Sequence, residues 1–292
     1  MDQNTNWRWT FWAVMVWSFL ELCLLYFFVP ETYNPVLLRR RAVHLRKTTS
    51  QPYYAPIEKL TRSIPRTIAW SCLRPFQLLF FEPMVLFLCI FTAILLGVLY
   101  LFFEAFPLFF SKVHGFDLQS IGLTFLGILV GMVAGILSDP IWGLLRQRLI
   151  ARNAGVSEPE FRLPSGIMGG VLVPIGLFWF SWTTYESVHW IVPIIASAVF
   201  GTGMLLVFSA VFTFLVDAYP LYAASALAAN SFLRSSFAAG FPLISDTLYE
   251  RLGYQWAGSI LAFLTVVMAP AMVAFFVWGK RIRSRSRFAS GK

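Results

Sequence analysis

Seven long apolar runs, interrupted once by a long polar stretch, leave this chain few folds to choose from. Thr10 to Val29 is the first run, and about 20 apolar residues suffice to cross a hydrocarbon core of ~30 Å. Pro30 to Pro75 is polar and basic, with residues 30–47 reading PETYNPVLLRRRAVHLRK. Six more runs follow: Met84–Phe110, Leu118–Leu137, Gly166–Thr183, Ile191–Val216, Leu221–Ile244 and Trp256–Trp278. Inside a bilayer each backbone polar group must be bonded within the protein, so apolar runs of this length are helices. Charged residues make up 13% of the chain, against roughly a quarter in soluble domains. The expectation is an all-α transmembrane protein with seven spans.

The first run reads as a true span rather than a cleaved leader. Its preceding charge is weak, the run is too long, and no small-residue cleavage site precedes Pro30. Trp7, Arg8 and Trp9 suit a membrane interface. Within the basic stretch, Val36–Lys47 fits either a short amphipathic helix on the membrane surface or a solvated loop.

The net charge of +9 is explained by where the charges fall. Nineteen of the 23 Lys and Arg lie between the first two spans, between the third and fourth, or after the seventh. Those segments share one side of the membrane. Only Arg8, Lys112 and Arg251 fall on the other side, and Arg234 lies inside a span. Basic loops stay cytoplasmic, which places the N-terminus outside and the C-terminus inside. The charge is therefore topogenic, and a nucleic-acid partner is not expected.

Several function classes drop out. Cys23, Cys72 and Cys89 are scattered and form neither a metal motif nor a disulfide framework. There is no N-x-S/T sequon, Walker A loop, HExxH or GxSxG, so neither an enzyme nor a bound cofactor or metal is expected. A G-protein-coupled receptor would also have seven spans and an external N-terminus. Its first cytoplasmic loop would be short, whereas here it is the longest, and D-R-Y and N-P-x-x-Y are missing.

An ionisable residue at mid-bilayer costs roughly 2.5–3.5 kcal/mol or more and is functional by default. Three qualify: Glu21, Glu104 and Arg234. Glu104 lies ~31 Å along its helix from Pro83, toward the outer interface, with Pro107 placed to kink the helix. A carboxylate of raised pKa there suits proton exchange or a cationic substrate. Arg234 suits an ion pair with a carboxylate or an anionic group of a ligand. Gly127, Gly131 and Gly135 recur every fourth residue on one helix face, a spacing that lets helices pack closely. Ala224, Ala228 and Gly240 give the sixth span a similar character.

Linked motifs then carry a resemblance. WRWTFW (7–12), PETYNPVLLRRRA (30–42), PFQLLFFEP (75–83), LFFEAFP (101–107), FRLP (161–164), VDAYP (216–220), AASALAANSFLR (223–234), SSFAAGFPL (235–243), LGYQWA (252–257) and GKRIR (279–283) occur in this order. They resemble the sixth helix, central loop and second half of fungal major facilitator superfamily transporters of the twelve-span drug:proton antiporter type. The resemblance implies two six-helix halves around a central cavity. It divides the chain into a sixth-helix equivalent (1–29), a basic cytoplasmic central loop (30–82), a six-helix transporter half (83–279) and a basic tail (280–292). It implies proton-coupled efflux of small amphipathic or cationic compounds by alternating access in the plasma membrane. Lipid, a small-molecule substrate and protons would be the partners. The alternative is an N-terminally truncated, non-transporting fragment, or a half-transporter needing a complementary N-terminal half. GILSD (135–139) resembles a degenerate second copy of the family's G-x-x-x-D-R motif, with Pro140 in place of Arg. Gly135 would allow a tight turn, Asp139 would cap a helix, and Asp217 would join them in a cytoplasmic gating loop; a simple turn is the other reading. By the same resemblance the glycine-striped third span and the sixth span would face and rock against the other half.

Overall fold

The computed structural model describes residues 8–49, 51–59, 64–284, 286 and 288–289, without the side chains of residues 57, 59, 64–67 and 246. Trp7, Arg62, Arg285, Arg287 and Lys292 lie outside the described residues, as do the side chains of Lys59 and Arg66. The described chain is helical, with no strand among the described residues. It divides into two units, residues 1–70 and 71–292.

In the first unit, α1 (Arg8–Phe28) is followed by α2 (Asn34–Thr49) and a 3₁₀ turn, Pro56–Lys59. Glu58 joins the turn to α2. Both of its carboxylate oxygens accept from Arg46, at 2.9 and 2.7 Å, and Arg39 approaches to 3.7 Å. Arg46 also lies over the Tyr54 ring, 4.7 Å from its centroid. These contacts close around the buried Ala42 and Ala55. Val36–Lys47 is helical, within α2.

The helix α3 (Ile64–Phe81) runs across the boundary between the units. The basic stretch is therefore largely helical. The apolar part of α3, Ile68–Phe81, is masked in sequence by Arg74 and by Pro75, which sits inside the helix. In the second unit its end buries Leu78 and Leu79, and Phe76 meets Phe232 edge-on.

The second unit continues with α4 (Pro83–His114), α5 (Leu118–Thr124), α6 (Leu126–Leu137), α7 (Asp139–Arg152), α8 (Leu163–Ser181), α9 (Ile191–Ala218), α10 (Ala223–Gly240), α11 (Pro242–Met268) and α12 (Pro270–Arg283). Glu82 precedes Pro83 at the first turn of α4, where a missing N–H is harmless. At 32 residues, α4 is ~48 Å long and continues through Pro107. Gly115 ends it in the left-handed region (φ 65°, ψ 26°). Asp117 caps α5 by accepting from the Ser120 N–H at 3.1 Å. Gly253 (φ 72°, ψ 166°) breaks α11 into segments 242–252 and 254–268.

Among the described residues, six helical stretches are long and apolar enough to cross a membrane: Arg8–Phe28, Pro83–His114, Leu118–Arg152, Pro159–Ser181, Ile191–Ala218 and Thr247–Arg283. The remaining expected span falls on α10, a helix of 18 residues rich in Ala and Ser and carrying Asn230 and Arg234. It has the length but not the apolarity. The chain is a multi-pass integral membrane protein.

The core gathers on α9, which packs against α8 on one flank and α6 on the other, while α4 packs against α10 and α11. Phe102, Phe106, Phe180 and Phe200 cluster at 4.7–5.5 Å between ring centroids, in stacked, tilted and edge-on pairs. A Cβ on Gly169 would stand 2.5 Å from the Gly203 carbonyl, so α8 and α9 approach at backbone distance.

Candidate functional site

Within the second unit, Glu104 and Arg234 form no ion pair with each other. Glu21 is exposed on α1, in the first unit. Glu104 lies half-buried on α4 beside the exposed Tyr100 and Phe103. Among the described residues it makes no side-chain hydrogen bond or ion pair, and its carboxylate is within electrostatic reach of the Tyr249 phenol. The Tyr249 hydroxyl donates to the Leu101 carbonyl at 3.4 Å, tying α11 to the turn that precedes Glu104.

Arg234 turns toward α9. Its guanidinium sits over Phe208 and Phe212, 5.4 and 5.0 Å from their centroids, and those rings are parallel to within 2°. Among the described residues it has no ion pair, and its buried Nε has no hydrogen-bond partner. Aromatic faces stabilise a cation without neutralising it, so the positive charge stays available. One turn earlier, the buried Asn230 donates to Thr92 Oγ1 at 2.7 Å, fixing α10 on α4. The outward side of α10 exposes Ala224, Ala228, Ser231, Ser235, Ser236 and Ala239, together with Phe232, which meets Phe76 edge-on.

The glycine stripe lies against α9. A Cβ on Gly127 would stand 2.6 Å from Ile194 Cγ2, and one on Gly131 would overlap the Ala198 carbonyl. Thr202 donates to the Gly131 carbonyl at 2.7 Å. The outward side of α6 is aliphatic, with Leu126, Leu129, Val130, Val133 and Ile136 exposed. Gly135 lies inside α6 rather than in a turn, and the space it leaves is taken by Leu205.

The end of α9 holds a charge cluster. Asp217 accepts from Arg162 Nε at 2.9 Å, and Arg146 of α7 approaches the same oxygen to 3.6 Å. Asp139 is the first residue of α7 rather than its cap. It shares a cleft of about 160 Å³ with Arg146, Arg162, Ser209 and Thr213. Ser138, just before it, donates to the Gly135 carbonyl and accepts from Trp142 Nε1. Two further pairs join the 3₁₀ turn Pro159–Arg162 and the residue before it to α12. Arg283 meets Glu160 through two bonds of 3.1 Å, and Lys280 donates to Glu158. The Lys280 hydrogen bond holds the Glu158 carboxyl below its ordinary pKa.

Sequence reasoning passed over Glu160 and Glu82. Glu82 is 4% exposed and receives Tyr219 at 3.1 Å and Ser286 at 2.7 Å. The signal was available: each is an acid in one of the segments that hold most of the basic residues, and Glu82 sits directly before an apolar run.

The sequence profile of the Major Facilitator Superfamily matches residues 1–241. The chain belongs to that superfamily. Its fold is a major facilitator fold, and fungal proteins named as efflux pumps and multidrug transporters are among the relatives it resembles. An efflux pump of Aspergillus terreus, atB, is 57% identical over all of this chain and 63% of its own length. A Major Facilitator Superfamily multidrug transporter of Aspergillus fumigatus, mdrA, is 43% identical over 99% of this chain and 48% of its own. A probable drug/proton antiporter of Saccharomyces cerevisiae, YHK8, is 42% identical over 98% of this chain and 56% of its own. The chain thus spans about half to two thirds of the length of these relatives. No solved structure matches it.

Proposed function

We propose that residues 83–279 form one half of a major facilitator exporter, preceded by a sixth-helix equivalent (1–29) and a basic central segment (30–82) and followed by a basic tail (280–292). It moves small amphipathic or cationic compounds by alternating access, driven by protons. The observation that carries this reading is the outward side of α10. Apart from Phe232, which meets Phe76 of α3, it presents hydroxyls and small side chains beside Arg234, whereas α6 presents leucine, valine and isoleucine. A guanidinium some ~17 Å along its helix is a poor neighbour for acyl chains. Such a side suits a water-filled path closed by a counterpart half, whether in the same polypeptide or another.

Glu104 is the carboxylate assigned to proton exchange and to cationic groups of the substrate. Arg234 is assigned to anionic groups. Glu21 is the second candidate carboxylate. Asp217 and Asp139, with Arg146 and Arg162, form a gate on the cytoplasmic side: the ion pairs hold α7, α8 and α9 together when that side is closed and part when it opens. Gly127, Gly131 and Gly135 keep α6 and α9 in register during this motion. The charge distribution supports an external N-terminus and a cytoplasmic C-terminus, and the plasma membrane is the proposed address.

The test is efflux of a fluorescent lipophilic cation from yeast lacking its own drug pumps. The chain would be expressed alone and together with the N-terminal half of the A. terreus relative. Efflux is expected with the counterpart present, and is expected to stop with a protonophore or with Glu104→Gln. Efflux indifferent to both would refute proton coupling through Glu104. Its absence from every combination would favour the alternative, a non-transporting membrane protein.

A further inference from the structure

The C-terminal tail is fastened to the protein by a serine. Ser286 Oγ donates to Glu82 Oε1 at 2.7 Å, and the other carboxylate oxygen accepts from Tyr219 at 3.1 Å. Glu82 and Tyr219 are both buried, and they come from the start of α4 and the end of α9. The same serine oxygen accepts from the Phe288 and Ala289 N–H groups at 3.1 and 3.0 Å, which folds the tail into a turn. That turn lays the Phe288 ring edge-on against Tyr222, 5.4 Å between centroids. The seat opens onto a groove of about 760 Å³, with Trp278, Arg281 and Ile282 among its lining residues.

The sequence around this contact is GKRIRSRSRF (279–288). Ser284 and Ser286 each have an arginine three residues earlier, Arg281 and Arg283. Arginine at that spacing suits the acidic substrate groove of a basophilic protein kinase, since guanidinium groups pair well with carboxylates. The two serines differ in setting. Ser284 is exposed and bonds only locally, to the Arg281 carbonyl, whereas Ser286 holds the buried carboxylate.

We propose that Ser286 is a phosphorylation site and that its modification releases the tail from the Glu82–Tyr219 seat. In the transfer, Ser286 Oγ bonds to the γ-phosphorus of MgATP. The bond from that phosphorus to the bridging oxygen breaks, ADP leaves, and the hydroxyl proton passes to the kinase. The product carries about −1.5 to −2 charge and no hydroxyl donor. It cannot remake the bond to Glu82, and the two anions repel. A kinase also needs the segment extended, so docking and phosphorylation exclude each other. Physiological use rests on the cytoplasmic placement of the tail proposed above, because ATP and kinases are there.

The experiment incubates the purified full chain with ATP and a basophilic kinase and quantifies phosphate on Ser284 and Ser286 by peptide mass spectrometry. Ser284 serves as the internal reference. Glu82→Gln and Phe288→Ala each loosen the seat by a different route, and either is expected to raise the Ser286:Ser284 ratio about tenfold, the equivalent of losing one hydrogen bond to a charged acceptor. Hydrogen exchange of residues 284–289 should accelerate in the phosphorylated native chain and not in phosphorylated Ser286→Ala. An unlabelled Ser286, a ratio unmoved by both variants, or exchange unchanged by phosphate would each overturn the proposal. This assay contains no membrane sidedness, so its failure is separate from failure of the assigned orientation, which external labelling of the tail in whole cells reads directly.

Discussion

Alanine at Gly131 should loosen the contact between α6 and α9, and the magnitude follows from what the new methyl would meet. It would overlap the carbonyl carbon and oxygen of Ala198. These are backbone atoms of a helix packed on both sides, so no rotamer change can relieve the clash. The helices must part, and the Thr202 bond to the Gly131 carbonyl at 2.7 Å lengthens with them. Overpacking a close contact costs about 1–3 kcal/mol, and a backbone-to-backbone clash belongs at the upper end, near ~3 kcal/mol. For a unit of this size that corresponds to a fall in melting temperature of about 6–12 °C, read by fluorescence-detected size exclusion after heating. The neighbouring glycines grade the effect. A Cβ at Gly127 meets the Ile194 carbonyl at 2.7 Å, so Gly127→Ala should cost nearly as much. At Gly135 the nearest atom is the movable Leu205 Cδ2, at 2.8 Å, so Gly135→Ala should cost less. Gly143 on α7 has nothing within 4 Å, and Gly143→Ala should be neutral or stabilising by up to ~1 kcal/mol from helix propensity. Equal melting temperatures for the Gly131 and Gly143 variants would refute the claim that α6 and α9 approach at backbone distance.

Other expectations concern the polar groups. Asp217→Asn removes the negative charge that Arg162 and Arg146 meet in a half-exposed setting. It should cost about 1 kcal/mol or less in thermal stability while strongly reducing efflux; unchanged efflux would remove Asp217 from the gate. Asn230→Ala deletes the donor to Thr92 Oγ1 and should lower stability by about 0.6–1.7 kcal/mol, measured by the same heating assay, with no change in the sidedness of the tail. Glu158 has its pKa lowered by the Lys280 hydrogen bond. Its contribution is present above the ordinary carboxylate pKa and is lost as pH falls through the lowered value. The melting-temperature difference between the native chain and Glu158→Gln should therefore be largest near neutral pH and vanish toward pH ~3. A difference independent of pH would assign the effect to packing.

Much of this architecture is legible because membrane spans write themselves as long apolar runs, and the resemblance supplied their order. The sixth run was readable despite its polarity, since Ala224, Ala228 and Gly240 kept a helical small-residue spacing. Two features were harder. In α3 the signal is broken by Arg74 and Pro75, so its apolar part reads as the end of a loop. The break at Gly253 lies inside LGYQWA, where a single glycine gives no sign that the helix is interrupted. The candidate site was legible residue by residue but not as pairs. Arg162 and Asp217 are 55 positions apart, and Glu82 and Tyr219 are 137 apart. Periodicity reports which side of a helix a residue occupies, not which distant residue shares that space. Glu104 and Arg234, each conspicuous as a charge in an apolar run, proved to belong to separate contacts.

The thin apolarity of α10 also bears on how the protein is made. A nascent helix carrying Asn230 and Arg234 gains little by entering lipid alone, because such residues oppose insertion by their own transfer energies. Its stabilising contacts are the Thr92 hydroxyl on α4 and the Phe208 and Phe212 faces on α9, and both helices are synthesised earlier. α10 is therefore expected to enter the bilayer only against helices already there. A defect in α4 or α9 should then appear during biogenesis as an α10 left on the wrong side of the membrane, before any question of transport arises.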